Sequence, residues 1–186
     1  LEGCMIPMIP VIGNHEVKGA AYRPNDAPPR SEAPFFYSLF SGMKEGSKFT
    51  IDFGTYLTVV ALDSGHTENI KPQTPWLRRV LHERKAFPFK FMCYHRPAWG
   101  TGVKNDAVEI QRAWCPLFEE FGVDAVFEND HHTYKRTYPL RAGKSDNENG
   151  VVYLGDGAWG TRTRAIGPDI EKQRPFLAKA ASTNPV

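Results

Sequence analysis

Four short apolar runs in this chain break off, each in turn, into polar side chains that bind metals or form turns. MIPVIG (8–13) is followed by Asn14-His15-Glu16. FKFMCY (89–94) is followed by His95-Arg96-Pro97, VDAVF (123–127) by Glu128-Asn129-Asp130-His131-His132, and VVYL (151–154) by Gly155-Asp156-Gly157. A strand that merely turns needs Gly or Asn at its end. It has no need of imidazoles and carboxylates as well. In layered α/β folds the carboxyl ends of parallel strands face one crevice, so residues distant in sequence can meet there.

The runs between these strands carry the period expected of such a fold. FTIDF (49–53) and YLTVVALD (56–63), separated by Gly54 and Thr55, predict a hairpin. Residues 72–86 place Trp76, Leu77, Val80 and Leu81 on one helical face. A second helical pattern spans 106–121, which Pro116 should kink or split and Gly122 should stop. Strands alternating with helices predict an α/β layered domain, taken as one unit over residues 1–186. Residues 17–35 contain four prolines and no helical period, and so read as a long loop. Residues 141–150 read as a solvated turn, and the segment from 168 onward as a polar tail.

Bulk composition excludes more than it assigns. A net charge of +2 gives no electrostatic case for nucleic acid or an acidic membrane as partner. No apolar run is long enough to span a bilayer. The three cysteines, Cys4, Cys93 and Cys115, are scattered and fit neither a zinc ribbon nor a disulfide framework. Cys93 and Cys115 sit in apolar runs and read as buried thiols.

Each strand-end motif also has a plain structural reading. Asn14 suits a turn, His95 a satisfied strand end, and His131-His132 an exposed loop. His66 and His82 read as bland, one in a polar loop and one in mid-helix. Neutral imidazole with amide and carboxylate oxygens nevertheless makes a mixed N/O set suited to borderline and hard metal ions. The recurrence of such groups after successive strands favours the metal reading.

As an ordered set, GNHE, a strand ending in HRP, VFENDHHTYKRTYP and YLGDG resemble the calcineurin-like metallophosphoesterases, in the purple acid phosphatase-like branch. The resemblance runs from about Pro10 to the YLGDG turn and implies a layered α/β/β/α sandwich. It implies hydrolysis of phosphate esters at a dinuclear centre of divalent or trivalent ions (Fe, Mn or Zn), with metal-activated hydroxide attacking phosphorus. By this resemblance Asn14, His95, Asp130 and His132 would be metal ligands, and His15 would protonate the leaving group. Glu16, His131, Arg96, Tyr134 and Arg136 would support the site or face substrate. A secreted or periplasmic location is implied only by the same resemblance.

Two departures from the pattern matter. The family's GHxH stands here as Asn129-Asp130-His131-His132. Either Asp130 binds metal, shifting preference toward harder ions such as Mn²⁺, Fe or Mg²⁺, or His131 turns inward with Asp130 behind it. The family's Asp-rich first strand and GDxxY-type motif are not found, because GNHE arrives near residue 1. The expectation is therefore an incomplete domain that lacks its N-terminal strands and a strand after RPFLAKAASTN, and that by itself binds metal weakly and turns over poorly. The alternative is a degenerate, non-catalytic binding module; a purely structural metal domain fits less well. Tyr22, Arg23 and Arg30 in the 17–35 loop are candidates to select the leaving group.

Overall fold

The computed structural model describes residues 8–20, 22–23, 25–40, 46–155, 158 and 160–182. Cys4 and the Asp156-Gly157 half of the YLGDG turn lie outside the described residues. In chain order the regular elements are α1 (Pro34–Leu39), β1 (Phe49–Phe53), β2 (Leu57–Ala61), α2 (Ile70–Glu83), β3 (Phe89–Tyr94), α3 (Val108–Ala113), α4 (Cys115–Glu120), β4 (Ala125–Glu128), β5 (Tyr134–Thr137), β6 (Leu140–Arg141), β7 (Lys144–Ser145), β8 (Val152–Gly155), α5 (Ile170–Gln173) and β9 (Leu177–Ala181).

The main sheet has seven strands in the order β1-β2-β3-β4-β8-β5-β9. The central strands β2, β3, β4 and β8 are parallel, with Val60 opposite Met92, Met92 opposite Val126, and Val126 opposite Tyr153. These four residues share one face, as the two-residue period of a strand requires. Leu77, Val80 and Leu81 of α2, Ile110 of α3 and Phe118 of α4 pack over them, and all are buried. The other face is covered near β1 by Ile12, Val17, Ala33 and Phe36, which pack against Phe49. Further along it Phe91 meets Phe127 edge to face at 5.8 Å, and Phe127 remains 41% exposed. The fold is the expected α/β class, represented among the described residues by one helical layer and one large sheet.

Several expectations hold. The β1–β2 hairpin pairs antiparallel from Phe49–Ala61 to Phe53–Leu57. The 106–121 helix is split: Trp114 leaves helical register and Pro116 opens the first turn of α4, where its missing N–H costs nothing. Gly122 terminates α4 with φ +61°, the left-handed region in which glycine bears no Cβ penalty. Burial pushes both the Cys93 and Cys115 thiols up to about 12, consistent with inert core thiols.

Three expectations need correction. MIPVIG is not a strand: residues 8–13 are irregular and join no ladder among the described residues. Pro10 has no N–H to give a ladder, and the run is held instead by burial of Ile12 in the small apolar cluster. The 17–35 loop contains 3₁₀ turns at Lys18–Ala20 and Arg30–Glu32 before α1 begins at Pro34. The segment from 168 onward is not all polar tail, because RPFLAKAASTN contains a strand of its own. Residues 177–181 are β9, antiparallel to β5 at the sheet edge, with Leu177 and Ala180 buried.

Candidate active site

Because β2, β3 and β4 run parallel, their carboxyl ends open on the same edge of the sheet. A cavity of about 860 Å³ lies there, lined by Asn14, Tyr22, His66, Arg96, Lys104 and Asp130 among others. Asn14 Oδ1 is 2.9 Å from His95 Nε2, and Asp130 Oδ1 is 3.5 Å from the same nitrogen. Three donors from three distant segments, one nitrogen and two oxygens, thus converge at one imidazole edge. Among the described residues no group of three or more His, Cys, Asp or Glu side chains is disposed to hold a metal. The convergence uses an amide as its third donor.

Local sequence explains the placement. The Gly13 N–H donates to Glu16 Oε2 at 2.8 Å, so Glu16 closes the turn that presents Asn14. A Cβ on Gly13 would lie 2.9 Å from both Glu16 Oε2 and His95 Cε1. The glycine of GNHE is therefore the gap into which the His95 ring fits. Gly13→Ala is expected to cost about 1–3 kcal/mol by overpacking, measured as a lower urea midpoint. The clash would also push His95 away from Asn14.

At the end of β4, Asp130 and His132 both adopt left-handed backbone, φ 55° and 54°. Asp and His enter that region more readily than most residues. The result separates neighbouring side chains. Asp130 lines the cavity, whereas His131 is 2% exposed and turned into the core, its Nδ1 accepting from the Thr101 N–H at 3.2 Å. Burial, then the Lys135 charge, push His131 down to about 3, so it is neutral. Burial works against charge on Asp130, but hydrogen bonds from His95 and Lys104 outweigh it and hold the carboxyl well below the usual range. The Lys104 ammonium is paired directly with the Asp130 carboxylate.

The remaining expected site residues are distributed more widely. Glu16 is in the turn as described. His132 is held by its Nδ1 at 3.2 Å from the Arg162 carbonyl and makes no hydrogen bond to Asn14, His95 or Asp130. His15 is exposed and lines a separate depression with Glu16, Ser31 and Phe35. Tyr134 and Arg136 lie on β5 beside β8 and β9; Tyr134 lines another depression with Phe127 and Leu154. Arg96 does line the cavity, its guanidinium stacked 3.4 Å above the Tyr22 ring.

Two features escaped the sequence reading. His66, read as bland in a polar loop, is fully buried, with its ring 5.3 Å from that of His95. Burial, then the neighbouring His95 and Arg96, push it down to about 3. The second is a buried ionic network under the strand ends. Glu128 Oε1 accepts from Tyr94 Oη at 2.6 Å and from the Ala98 N–H at 2.7 Å. Glu128 Oε2 pairs with Lys135 Nζ, which also donates to the Trp99 carbonyl. This network ties β3, β4, β5 and the 96–101 loop beneath the cavity.

No protein-family model matches the chain. It is 27% identical over 153 residues to an uncharacterized protein of Mycobacterium tuberculosis, a match covering 73% of this chain and 28% of that protein. It is also 27% identical over 110 residues to an acid phosphatase of Aspergillus ficuum, covering 58% of this chain and 18% of that one. The chain thus spans less than a third of the length of the relatives it matches. Among solved structures, a purple acid phosphatase from yellow lupin (Lupinus luteus) seeds superposes with a TM-score of 0.63 at 18% identity, over 85% of this chain and 32% of that one. PhoD superposes with a TM-score of 0.55 at 12% identity, over 73% of this chain and 34% of the other. The chain therefore has the fold of these two solved structures, over about a third of their length.

Proposed function

We propose that residues 1–186 form part of the catalytic domain of a metal-dependent phosphoesterase. The observation that carries this reading is the meeting of Asn14 Oδ1, His95 Nε2 and Asp130 Oδ1 at the carboxyl ends of parallel strands. Their mixed N/O chemistry fits a borderline or hard divalent ion, and these three side chains would hold it. Such an ion would polarise a phosphoryl oxygen and lower the pKa of a water. A second ion with His132 among its ligands completes the dinuclear form of the proposal. Arg96 and Lys104 line the cavity and favour an anionic ester there. His15, next to Asn14 in sequence and open to solvent, is assigned to the leaving-group side, as proton donor.

A second reading, a phosphate-binding module without catalysis, is favoured by one feature. The Lys104 ammonium already neutralises Asp130, and His132 stands apart from the cluster. The test is hydrolysis of 4-nitrophenyl phosphate by the full-length gene product with added Mn²⁺, Fe²⁺ or Zn²⁺, alongside binding of inorganic phosphate. The phosphoesterase reading expects turnover that a chelator abolishes and metal restores. Phosphate binding with no turnover under any metal would favour the module.

A further inference from the structure

The turn that follows β2 is fastened with unusual density. The Asp63 carboxylate is buried and accepts from the backbone N–H groups of Gly65 (3.0 Å), His66 (2.6 Å), Thr67 (2.9 Å) and Glu68 (3.0 Å). The Thr67 and Ser47 hydroxyls add bonds of 2.8 and 2.7 Å. Gln73 clamps the same residue from α2, its Nε2 donating to the Asp63 carbonyl at 2.7 Å. Gly65 has φ +95°, and a Cβ there would lie 2.9 Å from Tyr22 Cε2. A turn fixed this firmly holds its side chains in one orientation.

What it holds is His66. The residue has no exposed surface, and neither ring nitrogen has a hydrogen-bond partner among the described residues. It lines the same cavity as Asn14, Arg96 and Asp130. Arg96 Nη1 is likewise buried there without a partner, while its guanidinium plane is fixed on Tyr22. Buried polar groups are nearly always satisfied, and each exception asks for an explanation. Here three residues with atoms unpartnered among the described residues line one cavity: His66 on a braced turn, Arg96 with its stacked guanidinium, and Tyr22 through its Oη. All can donate: a neutral imidazole has one N–H, Nη1 is a donor only, and a phenol has its O–H. Their common complement is a ligand rich in acceptor oxygens.

We propose that His66 is a substrate-binding residue that donates, together with Arg96, to phosphoryl oxygens of an ester seated against Asn14, His95 and Asp130. This rests on the phosphoesterase reading. His66 is on a different strand end from the expected ligands and proton donor, and its task is to hold the ester rather than a metal.

The discriminating variant is His66→Phe. It keeps a planar ring, somewhat larger than imidazole, and deletes both unpartnered nitrogens, so no hydrogen bond among the described residues is lost with them. In the full-length gene product, inorganic phosphate affinity is read by calorimetry, and KM and kcat with 4-nitrophenyl phosphate. His66→Phe is expected to fold as the parent does, to weaken phosphate binding about tenfold, the loss of one hydrogen bond to a charged group, and to raise KM by a similar factor. His66→Gln, which retains a donor, is expected to recover most of that loss. Parental phosphate affinity and KM in His66→Phe would overturn the proposal while leaving the phosphoesterase reading intact. A parent that neither binds phosphate nor hydrolyses the ester would overturn both. Should His66→Phe not fold, ¹⁵N-histidine NMR of the unaltered protein decides: phosphate moves the His66 ring resonances if the proposal holds, and leaves them in place if it does not.

Discussion

Lys135→Met is expected to destabilise the protein by about 3–5 kcal/mol, the usual cost of leaving one partner of a buried ion pair alone. Lys135 and Glu128 have side chains 2% and 0% exposed, so water cannot take over from the missing ammonium. Among the described residues, Glu128 would keep Tyr94 Oη and the Ala98 N–H as its donors. Two neutral donors do not balance a desolvated carboxylate, and the Trp99 carbonyl would lose its charged partner as well. A whole domain is typically stable by about 5–15 kcal/mol, so one substitution would remove a large share. Urea unfolding followed by tryptophan fluorescence measures it. The double variant Glu128→Gln/Lys135→Met removes the orphan charge while keeping an acceptor for Tyr94 and Ala98, and should regain part of the loss. A single-variant cost under about 1 kcal/mol, the value of a solvent-exposed pair, would mean that this pair is not sealed from water.

The strand ends were legible in the sequence because the central strands are buried runs of apolar residues, and their ends show as an abrupt change in chemistry. FKFMCY then His95, and VDAVF then Asp130, are readable without any knowledge of pairing. Glu128 was also within reach. On a strand, alternate residues share a face, so Glu128 falls on the same side as buried Val126. A carboxylate on the core side needs an ionic partner, and Lys135 is the partner that β5 brings back beside β8. His66 was harder to see. DSGHTEN reads as an exposed turn, and the burial of its histidine depends on Asp63 gathering four backbone amides and on Tyr22 arriving from the distant 17–35 loop. An Asp followed by Ser-Gly is a local signal for such a turn, but what the turn packs against is tertiary information. MIPVIG failed for the same reason: strand propensity cannot supply a ladder partner.

His95→Ala is expected to separate catalysis from folding more sharply than any other change in the site. In the proposed function His95 supplies the imidazole that Asn14 and Asp130 both face. Groups that merely orient a metal ligand typically contribute about 10–100-fold to affinity or activity. Removing the ligand itself should therefore lower metal-dependent phosphoester turnover by on the order of 10²-fold or more. The structural loss is moderate by comparison. The side chain is 19% exposed, so its removal leaves a space beside Gly13 and ends a bond to Asn14 worth about 1 kcal/mol net. The urea midpoint should then fall without loss of the fold, while turnover collapses. Metal affinity, measured by calorimetry with Mn²⁺, should fall with turnover. Asp130, still neutralised by Lys104, would not be left as an orphan charge, which is why stability survives. If turnover and metal affinity instead stay near the parental values, His95 is an ordinary strand-end residue. The convergence of Asn14, His95 and Asp130 would then be a hydrogen-bonded turn contact, and the phosphoesterase reading would lose the observation that carries it.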